Sequence, residues 1–279
     1  MRRFAVYSSA CVIAFFTPLQ ELFRLSLSTD THSHILVVPV VAGALVYAER
    51  LRIFRRTAVP SRLGLPVCLI LLAAVGSTMA AVFASPLETS LMLYTLGFVL
   101  FLWAGFSWAF GWQTFRAALF PLAFLLLMIP PPPLVLERVI TWLQWGSADV
   151  TSWFFHVTRT PVVRQGLFFD LPDVTIEVAR ECSGIRSSVA LLITCLAAGY
   201  LLLRTGWTRA AFWMAVLPVA ILKNGIRIVT LSLLAIHVDP DFLFGSLHQH
   251  GGFVFFGVGL AMLWGLLWGL QRMERSFSS

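Results

Sequence analysis

Three short polar clusters interrupt the apolar second half of the chain, and each contains a side chain that could take part in acyl transfer. The clusters contain Cys182, Arg227 and His248. A cysteine thiolate can attack a carbonyl carbon, a guanidinium can stabilise the oxyanion that forms, and an imidazole can carry the proton. This chemistry requires that the elements carrying the three clusters bring them to one side of the protein.

The first cluster, residues 181–186, lies where an apolar helix is expected to begin. The partial positive charge of a helix N-terminus and the guanidinium of Arg186, one turn later, both favour the thiolate form of Cys182. The alternative is that Cys182 is a small apolar residue, and that Ser183 and Gly184 only ease helix packing.

The second cluster, residues 223–227, lies within an apolar run. Placing Lys or Arg in the middle of a membrane helix costs about 2.5–3.5 kcal/mol each, so Lys223 and Arg227 require an explanation. Snorkelling to the interface is the alternative, and it works best near the ends of a span. Arg227 is closer to the middle, which favours a polar cavity in which its fixed donors could bind a carboxylate or an oxyanion.

The third cluster, residues 247–252, precedes the last apolar run. Histidine titrates near neutral pH and is the commonest proton-transfer residue. His248 and His250 are both candidates, and His237 is a third. For each of them the alternative is an ordinary histidine in a hydrated loop or at the end of a helix.

The composition places the chain outside the soluble globular class. Of its 279 residues, 58% are hydrophobic and 12% are charged, and the mean hydropathy is +0.85. Soluble domains are about 45–50% apolar and about 25% charged. The net charge of +7 could indicate a nucleic-acid partner, but the basic residues form short clusters between apolar runs, as in the cytoplasmic loops of membrane proteins. The sequence therefore predicts an integral membrane protein that binds no nucleic acid.

The apolar runs predict about eight transmembrane helices, since a helix needs about 20 mostly apolar residues to cross a bilayer. The predicted fold is an all-α polytopic membrane protein with a single integral membrane domain over residues 1–279, in which residues 182–270 form the catalytic helices. The predicted spans are approximately residues 4–18, 34–48, 66–84, 88–109, 115–130, 182–203, 210–236 and 251–270.

The basic residues predict one orientation for the whole chain. Arg2 and Arg3 favour a cytoplasmic N-terminus, and the same orientation places the arginine-rich loop at residues 50–62 inside, together with Arg272 and Arg275 near the C-terminus. This agreement between separate loops is what the positive-inside rule requires.

The predicted topology brings the three polar clusters together. The sixth span runs inward from Cys182, the seventh runs outward through Arg227, and the eighth runs inward from His248. All three groups are therefore expected on the outer face, where they would form a coherent acyl-transfer set.

An outer segment at residues 131–181 is expected between the fifth and sixth spans, because the prolines of residues 130–133 end the fifth helix. Residues 134–158 place Glu137, Thr141, Gln144 and Thr151 on one helical side, which predicts an amphipathic helix in the membrane interface. Turn residues around alternating apolar positions at 161–178 predict a short β-hairpin that leads to Cys182.

The four cysteines predict neither a disulfide framework nor a metal site. Their spacing is not that of metal ligands, and three of them, Cys11, Cys68 and Cys195, lie within apolar runs. Residues 30–34 contain His32 and His34, but there is no obvious third ligand. No cofactor is expected.

Five motifs occur in order along the second half of the chain, and they are Arg164-Gln-Gly166, the stretch from Leu171-Pro172 to Glu177-Val178, Cys182-Ser-Gly-Ile-Arg186, Asn224-Gly-Ile-Arg227 and His248-x-x-x-Gly252. In these motifs the sequence resembles the exosortase/archaeosortase family of membrane transpeptidases. Ser33-His34 before Pro39 and the end of the fifth span at Met128-Ile129-Pro130 are also similar to the family, so the resemblance covers nearly the whole chain.

The resemblance implies a protein-sorting enzyme of the bacterial inner membrane. Such an enzyme would cleave near a C-terminal signal made of a Pro-Glu-Pro-like motif, a hydrophobic helix and a basic tail. It would then transfer the exported protein to a surface acceptor, an amine or a hydroxyl that could be linked to lipid or polysaccharide. By carry-over, Cys182 forms a thioester, Arg227 stabilises the tetrahedral intermediate, and His248, from its spacing to Gly252, moves protons.

Four further residues are predicted to bind the substrate, and they are Arg164, Glu177, Arg186 and Asn224. The carboxylate of the sorting signal could pair with Arg164 or Arg186. Some relatives carry an extra soluble domain after the last span, and this chain ends at Ser279 without one. Whether a separate partner protein is needed is therefore left open.

Two other functions are compatible with the same residues. A transporter or an export component for an anionic or lipid-linked polymer would also place Lys223, Arg227 and His248 along a path through the membrane, although no inverted repeat is evident. A non-catalytic scaffold would tolerate loss of Arg227. Replacement of Cys182 by Ser separates these functions, because it should abolish only an enzyme.

Overall fold

The structure is a computed structural model that describes residues 2–55, 64–83, 87–171, 174–180, 184–239, 242 and 252–277. These residues are mostly α-helical, with short 3-10 segments at Asp30–Leu36 and Leu125–Met128 and three short β-strands. The helices are α1 (Arg2–Ala14), α2 (Phe16–Ser28), α3 (Val37–Ala48), α4 (Arg50–Phe54), α5 (Gly64–Phe83), α6 (Leu87–Ala117), α7 (Leu119–Phe124), α8 (Pro133–Val157), α9 (Ile185–Leu202), α10 (Gly206–Met214), α11 (Val216–His237) and α12 (Gly252–Phe277).

Six segments are long and apolar enough to cross a membrane, and two broken helix pairs would raise that number to eight. The broken pairs are α1 with α2, and residues 119–128 with α8. The prediction of a multi-pass, all-α membrane protein is therefore confirmed. The six segments are Thr31–Ala48, Leu65–Val82, Thr89–Ala117, Ile185–Leu202, Gly206–His237 and Gly252–Ser276.

The helices are interrupted at two places, and the bounds of the helices there differ from those of the predicted spans. The first predicted span continues into α2, and the two helices bend by 74° at Phe15, whose backbone is not helical. Pro18 follows in the first turn of α2, where its missing N–H removes no helical hydrogen bond. Gly111, with φ of 79°, interrupts α6 between the fourth and fifth predicted spans.

The chain divides into two compact units, residues 1–132 and 133–279. In the first unit, Ile53, Phe106, Phe115 and Leu122 form a buried cluster. Aromatic rings fill much of this cluster, and the ring centroids of Phe106 and Phe110 lie 4.8 Å apart. The division falls within the proline run, and the candidate site lies in the second unit.

Helix α9 runs antiparallel to α10 and α11 in the second unit. Near the start of α9, Ser187 contacts Lys223 of α11, whereas Cys195, two turns later, donates a hydrogen bond of 3.2 Å to the carbonyl of Phe212 in α10. Leu191 and Cys195 are fully buried between these helices. The start of α9 therefore lies at the level of the middle of α11.

Helix α12 runs in the same direction as α9. Gly259, two turns from the start of α12, lies against Leu191, and Glu274 near its end accepts hydrogen bonds from Thr205 and Thr208 at the start of α10. The starts of α9 and α12 and the C-terminal half of α11 therefore lie at one end of this helix set.

Helices α8 and α11 pack closely and run in the same direction. Gly146 of α8 lies against Ile221, and Gly225 of α11 lies against Val150. Glycine permits this approach, because a β-carbon on Gly225 would come within 2.5 Å of a Val150 methyl carbon.

The predicted helix at residues 134–158 is present as α8, but α11 and the following segment cover half of its predicted polar side. Glu137 and Thr141 are exposed, whereas Gln144 and Thr151 are buried. Exposed tryptophans lie elsewhere on the helix, with Trp142 at 69% exposure. Part of the predicted polar side of α8 is therefore buried inside the protein, and part of it is exposed.

The predicted hairpin is present and has a third strand. Strands β1 (Val163–Gln165), β2 (Phe168–Leu171) and β3 (Val174–Glu177) form an antiparallel sheet in the order β1-β2-β3. The sheet packs on α8 through the rings of Phe169 and Phe155, whose centroids lie 5.8 Å apart. It returns the chain along α8 towards the start of α9.

Candidate functional site

Two of the predicted catalytic residues, Cys182 and His248, lie outside the described residues, as does His250. Their described neighbours along the chain define the site instead. Gly184 follows Cys182 by two residues, and Gly252 follows His248 by four. Arg227, the third predicted catalytic residue, lies in α11 and is half-buried.

Gly184 forms a tight junction between the Cys182 segment and α9. Its φ of +68° is in the left-handed region, which glycine adopts without steric cost. A β-carbon at this position would come within 2.7 Å of Asn224 Oδ1 and 3.3 Å of Lys223 Nζ. Only glycine therefore fits the backbone conformation and the contact with α11 at the same time.

Lys223 is buried between three helices, with 1% of its surface exposed. Its ammonium donates a hydrogen bond to Ser187 Oγ in the first turn of α9. A β-carbon on Gly259 of α12 would lie 3.5 Å from Lys223 Cδ, so the aliphatic stem runs beside α12. The lysine thus joins α9, α11 and α12 at the level where α9 begins.

Asn224 is equally buried and links α11 to α8. Its Nδ2 donates a hydrogen bond of 2.9 Å to Ser147 Oγ, and Ser147 is fully buried. Arg227 follows Lys223 by one helical turn, on the side of the helix set where α9 and α12 begin. The motif that ends in Arg227 therefore lies beside the junction that follows Cys182.

The segment that precedes Cys182 is held by α8. Gln144 Nε2 donates a buried hydrogen bond of 2.8 Å to the carbonyl of Val178. Arg180 forms a two-pronged ion pair with Glu137, with N–O distances of 2.6 and 2.7 Å. The chain is therefore fixed on α8 before Cys182 and on α11 after it.

A comparison with protein families identifies a match to Transmembrane exosortase over residues 26–265. The chain belongs to the transmembrane exosortase family. The matched range includes all the motifs around Cys182, Arg227 and His248. No curated protein and no solved structure matches the chain. The exosortase family resemblance of the sequence is thus confirmed.

In this exosortase, Arg164 is engaged in holding the sheet against α8. Its guanidinium pairs with Asp149 at 2.8 Å and donates a bond of 2.9 Å to the carbonyl of Gly166. It also lies over the ring of Phe169, with 5.6 Å between the guanidinium carbon and the ring centroid. A substrate carboxylate would have to compete with Asp149 for this side chain.

The other predicted substrate-binding residues occupy different surroundings. Glu177 is exposed on β3, opposite Phe168 of β2, and Arg186 is exposed in the first turn of α9. Asn224 is buried in the helix contact described above. The structure therefore brings Asn224 to the junction of Gly184, while Glu177 and Arg186 lie on the exposed surface.

The contacts of Ser187, Ser147 and Gln144 at this site are not predicted by the sequence. Ser187 and Ser147 are small polar residues inside apolar helices, where they are also common as packing residues. The available signal was the buried charge of Lys223, which needs a polar partner in a neighbouring helix.

A separate recess of about 430 Å³ lies beyond the site, at the shared ends of α8 and α11. The turn after α8 forms one wall and the last turns of α11 form the other. Its lining residues are Thr158, Arg159, Thr160, Pro161, Leu233, Ile236 and His237.

Proposed function

We propose that this exosortase is a membrane cysteine transpeptidase that cleaves the C-terminal sorting signal of exported proteins. Cys182 is the nucleophile, Arg227 is the oxyanion donor, and His248 is the proton carrier. The proposal is supported by the family membership of the chain and by the close contact between Gly184 and the segment Lys223–Asn224.

The contact at Gly184 carries the proposal, because it ties the Cys182 segment to the arginine helix. Two residues of chain span at most about 7 Å, so Cys182 cannot lie far from Gly184. Gly184 touches Asn224, and Arg227 is less than one helical turn from Asn224 along α11. These short distances along the chain support the proposal that the Cys182 thiolate and the Arg227 guanidinium act on one peptide carbonyl.

The first half of the reaction would make a thioester. The Cys182 thiolate attacks the carbonyl carbon of the scissile peptide bond and forms a C–S bond. The carbonyl oxygen becomes an oxyanion that Arg227 stabilises by charge and hydrogen bonding. The C–N bond then breaks, and the imidazolium of His248 gives its proton to the leaving amine.

The second half would release the exported protein to an acceptor. An amine, a hydroxyl or water attacks the thioester carbon, while the neutral imidazole of His248 accepts the proton of that nucleophile. The C–S bond breaks and the Cys182 thiolate is restored. Glu177 and Arg186, which are both exposed, would contact the signal or the acceptor.

The proposed location is the bacterial inner membrane, with the active site on the outer face. The support is the agreement between the basic loops and the helix directions. The starts of α9 and α12 share one end of the helix set, and Arg204, Arg209, Arg272 and Arg275 lie at the other end. A basic inner end and a site at the opposite end fit the positive-inside rule.

The test is to trap the thioester. Membranes containing the enzyme are mixed with a protein that carries a C-terminal sorting signal, and the Cys182 peptide is analysed by mass spectrometry. The proposal predicts an acyl adduct on Cys182 that neutral hydroxylamine removes, and that accumulates when the acceptor is depleted. Signal removal without any adduct on Cys182, at a time resolution that captures single turnovers, would contradict it.

A further inference from the structure

A chain of hydrogen bonds connects a buried lysine to the residue that follows the Cys182 segment. The Lys223 ammonium donates to Ser187 Oγ, and Ser187 Oγ donates a bond of 3.0 Å to the carbonyl of Gly184. The ammonium also lies directly beside Gly184, since a β-carbon there would be 3.3 Å from Lys223 Nζ. The lysine thus contacts the junction through space and through a hydroxyl.

This arrangement comes at a cost to the protein. A lysine inside a membrane helix is unfavourable by about 2.5–3.5 kcal/mol on insertion scales. Its hydrogen bond to Ser187 offsets part of this cost, since it gives the buried ammonium a polar partner in a neighbouring helix. The same bond links the lysine to the first turn of α9.

We infer that Lys223 is a positioning residue for the nucleophile. Through the hydroxyl of Ser187 it fixes the carbonyl of Gly184, and it thereby holds the left-handed backbone of Gly184, two residues after Cys182. The inference rests on the proposed function, because it takes Cys182 as the attacking group. It adds a role for Lys223 and Ser187 that is separate from the roles of Arg227 and His248.

Ser188 provides a matched comparison for Ser187. Its hydroxyl donates a bond of 2.8 Å to the same carbonyl of Gly184, and the two residues are neighbours in the first turn of α9. Within the described residues, only Ser187 also accepts a bond from Lys223. Loss of Ser188 removes one hydrogen bond to the Gly184 carbonyl, whereas loss of Ser187 also removes the hydroxyl that links the lysine to that carbonyl.

The experiment uses the full chain in membranes and compares wild type with Lys223→Met, Ser187→Ala, Ser187→Thr and Ser188→Ala. The first readout is the rate at which N-ethylmaleimide labels Cys182, followed by mass spectrometry of its peptide. Cys195, which is buried in α9, serves as an internal folding control, because it should react only if α9 loses its packing. The second readout is the kcat and KM for removal of a sorting signal.

The inference predicts that Lys223→Met and Ser187→Ala change the labelling rate of Cys182 by about tenfold or more, since that rate depends on the thiolate fraction and the accessibility of the cysteine. In both variants kcat falls by a similar factor while KM changes little. Ser187→Thr keeps the hydroxyl and stays within about threefold of wild type, as does Ser188→Ala. Cys195 stays unlabelled in all of them.

Two results would overturn the inference. One is a Lys223→Met protein that keeps Cys195 protected and labels Cys182 at the wild-type rate. The other is an equal effect of Ser187→Ala and Ser188→Ala. The labelling readout does not depend on catalysis, so it separates this inference from the proposed function. If Cys182→Ala still removes the signal, the nucleophile assignment is wrong whatever the labelling rates are.

Discussion

Gly184 and Asn224 are so close that a β-carbon on Gly184 would come within 2.7 Å of Asn224 Oδ1. This contact joins the residue after the Cys182 segment to the helix that carries Arg227. It depends on the absence of a side chain at residue 184 and on a backbone with φ of +68°. Both conditions can be tested by substitution.

Gly184→Ala should greatly reduce signal removal and lower stability. The left-handed backbone alone costs about 1–2 kcal/mol for alanine, and the clash with Asn224 adds to this cost. Gly265→Ala in α12 is the matched control, because nothing lies within 4 Å of a β-carbon there. Processing and the thermal midpoint of the purified proteins should be unchanged in the control. Equal activity of the Gly184→Ala and Gly265→Ala proteins would disprove the close contact.

The hydrogen bond between Asn224 and Ser147 should appear as an energetic coupling between α11 and α8. Its donor–acceptor distance is 2.9 Å and both residues are buried. Because removal of one partner leaves the other unsatisfied, a double-mutant cycle with Asn224→Ala and Ser147→Ala should give a coupling of about 0.5–1.5 kcal/mol. The measurement is the free energy of unfolding in mixed micelles. Strict additivity of the two substitutions would show that the bond does not contribute.

Much of the fold could be predicted from the sequence, because the apolar runs report directly on the membrane spans. The orientation that the basic loops indicate stays a prediction. The helix at residues 134–158 and the strands after it also followed from local patterns. The 74° bend between α1 and α2 did not. Helix α1 contains mainly apolar residues after Arg3, and α2 carries Gln20, Glu21 and Arg24 among its apolar residues. Composition alone cannot tell at what angle two such short helices meet.

The sequence predicts residue types for the candidate site but not the contacts between them. The spacing of Cys182, Arg227 and His248 and the family motifs identified the candidate groups. The pairing of Lys223 with Ser187 could not be predicted, because it depends on how α9 and α11 are rotated about their axes. In a membrane helix the apolar pattern does not fix that rotation, since lipid and protein neighbours are equally apolar.

The two attachments of the segment before Cys182 should differ in their importance for stability. Gln144→Leu removes a buried donor from the carbonyl of Val178, which should cost about 1–3 kcal/mol. Glu137→Ala removes an ion pair whose side chains are 53% and 49% exposed, and such pairs contribute about 0–1 kcal/mol. The free energy of unfolding in mixed micelles should therefore be clearly lower for Gln144→Leu than for Glu137→Ala. The reverse order would contradict the assigned burial.

Glu274 should stabilise the opposite end of the helix set without affecting catalysis. Its carboxylate accepts bonds from the backbone of Arg204 and Thr205 and a bond of 2.6 Å from Thr208 Oγ1, at the start of α10. A negative charge there also complements the helix dipole. Glu274→Gln should lower Tm by about 3 °C or more while kcat/KM stays within about twofold of wild type.

The control for Glu274 is Glu21→Gln, which affects an exposed pair with Arg24. Its Tm should be close to that of wild type. If Glu274→Gln abolished processing while its Tm was unchanged, the carboxylate would have a functional role that its position at the far end of the helices does not explain.

The most direct test of the central claim compares the loss of Cys182 with the loss of Cys195 in α9. Cells co-express a protein carrying a C-terminal sorting signal with wild type, Cys182→Ala or Cys195→Ala, at matched expression, and signal removal is followed as a mobility shift on a blot. Cys195 is buried in the core and contacts Phe212, so its loss should leave processing intact. We predict complete loss of processing in Cys182→Ala and retention in Cys195→Ala. Processing by Cys182→Ala at the wild-type rate would contradict the account.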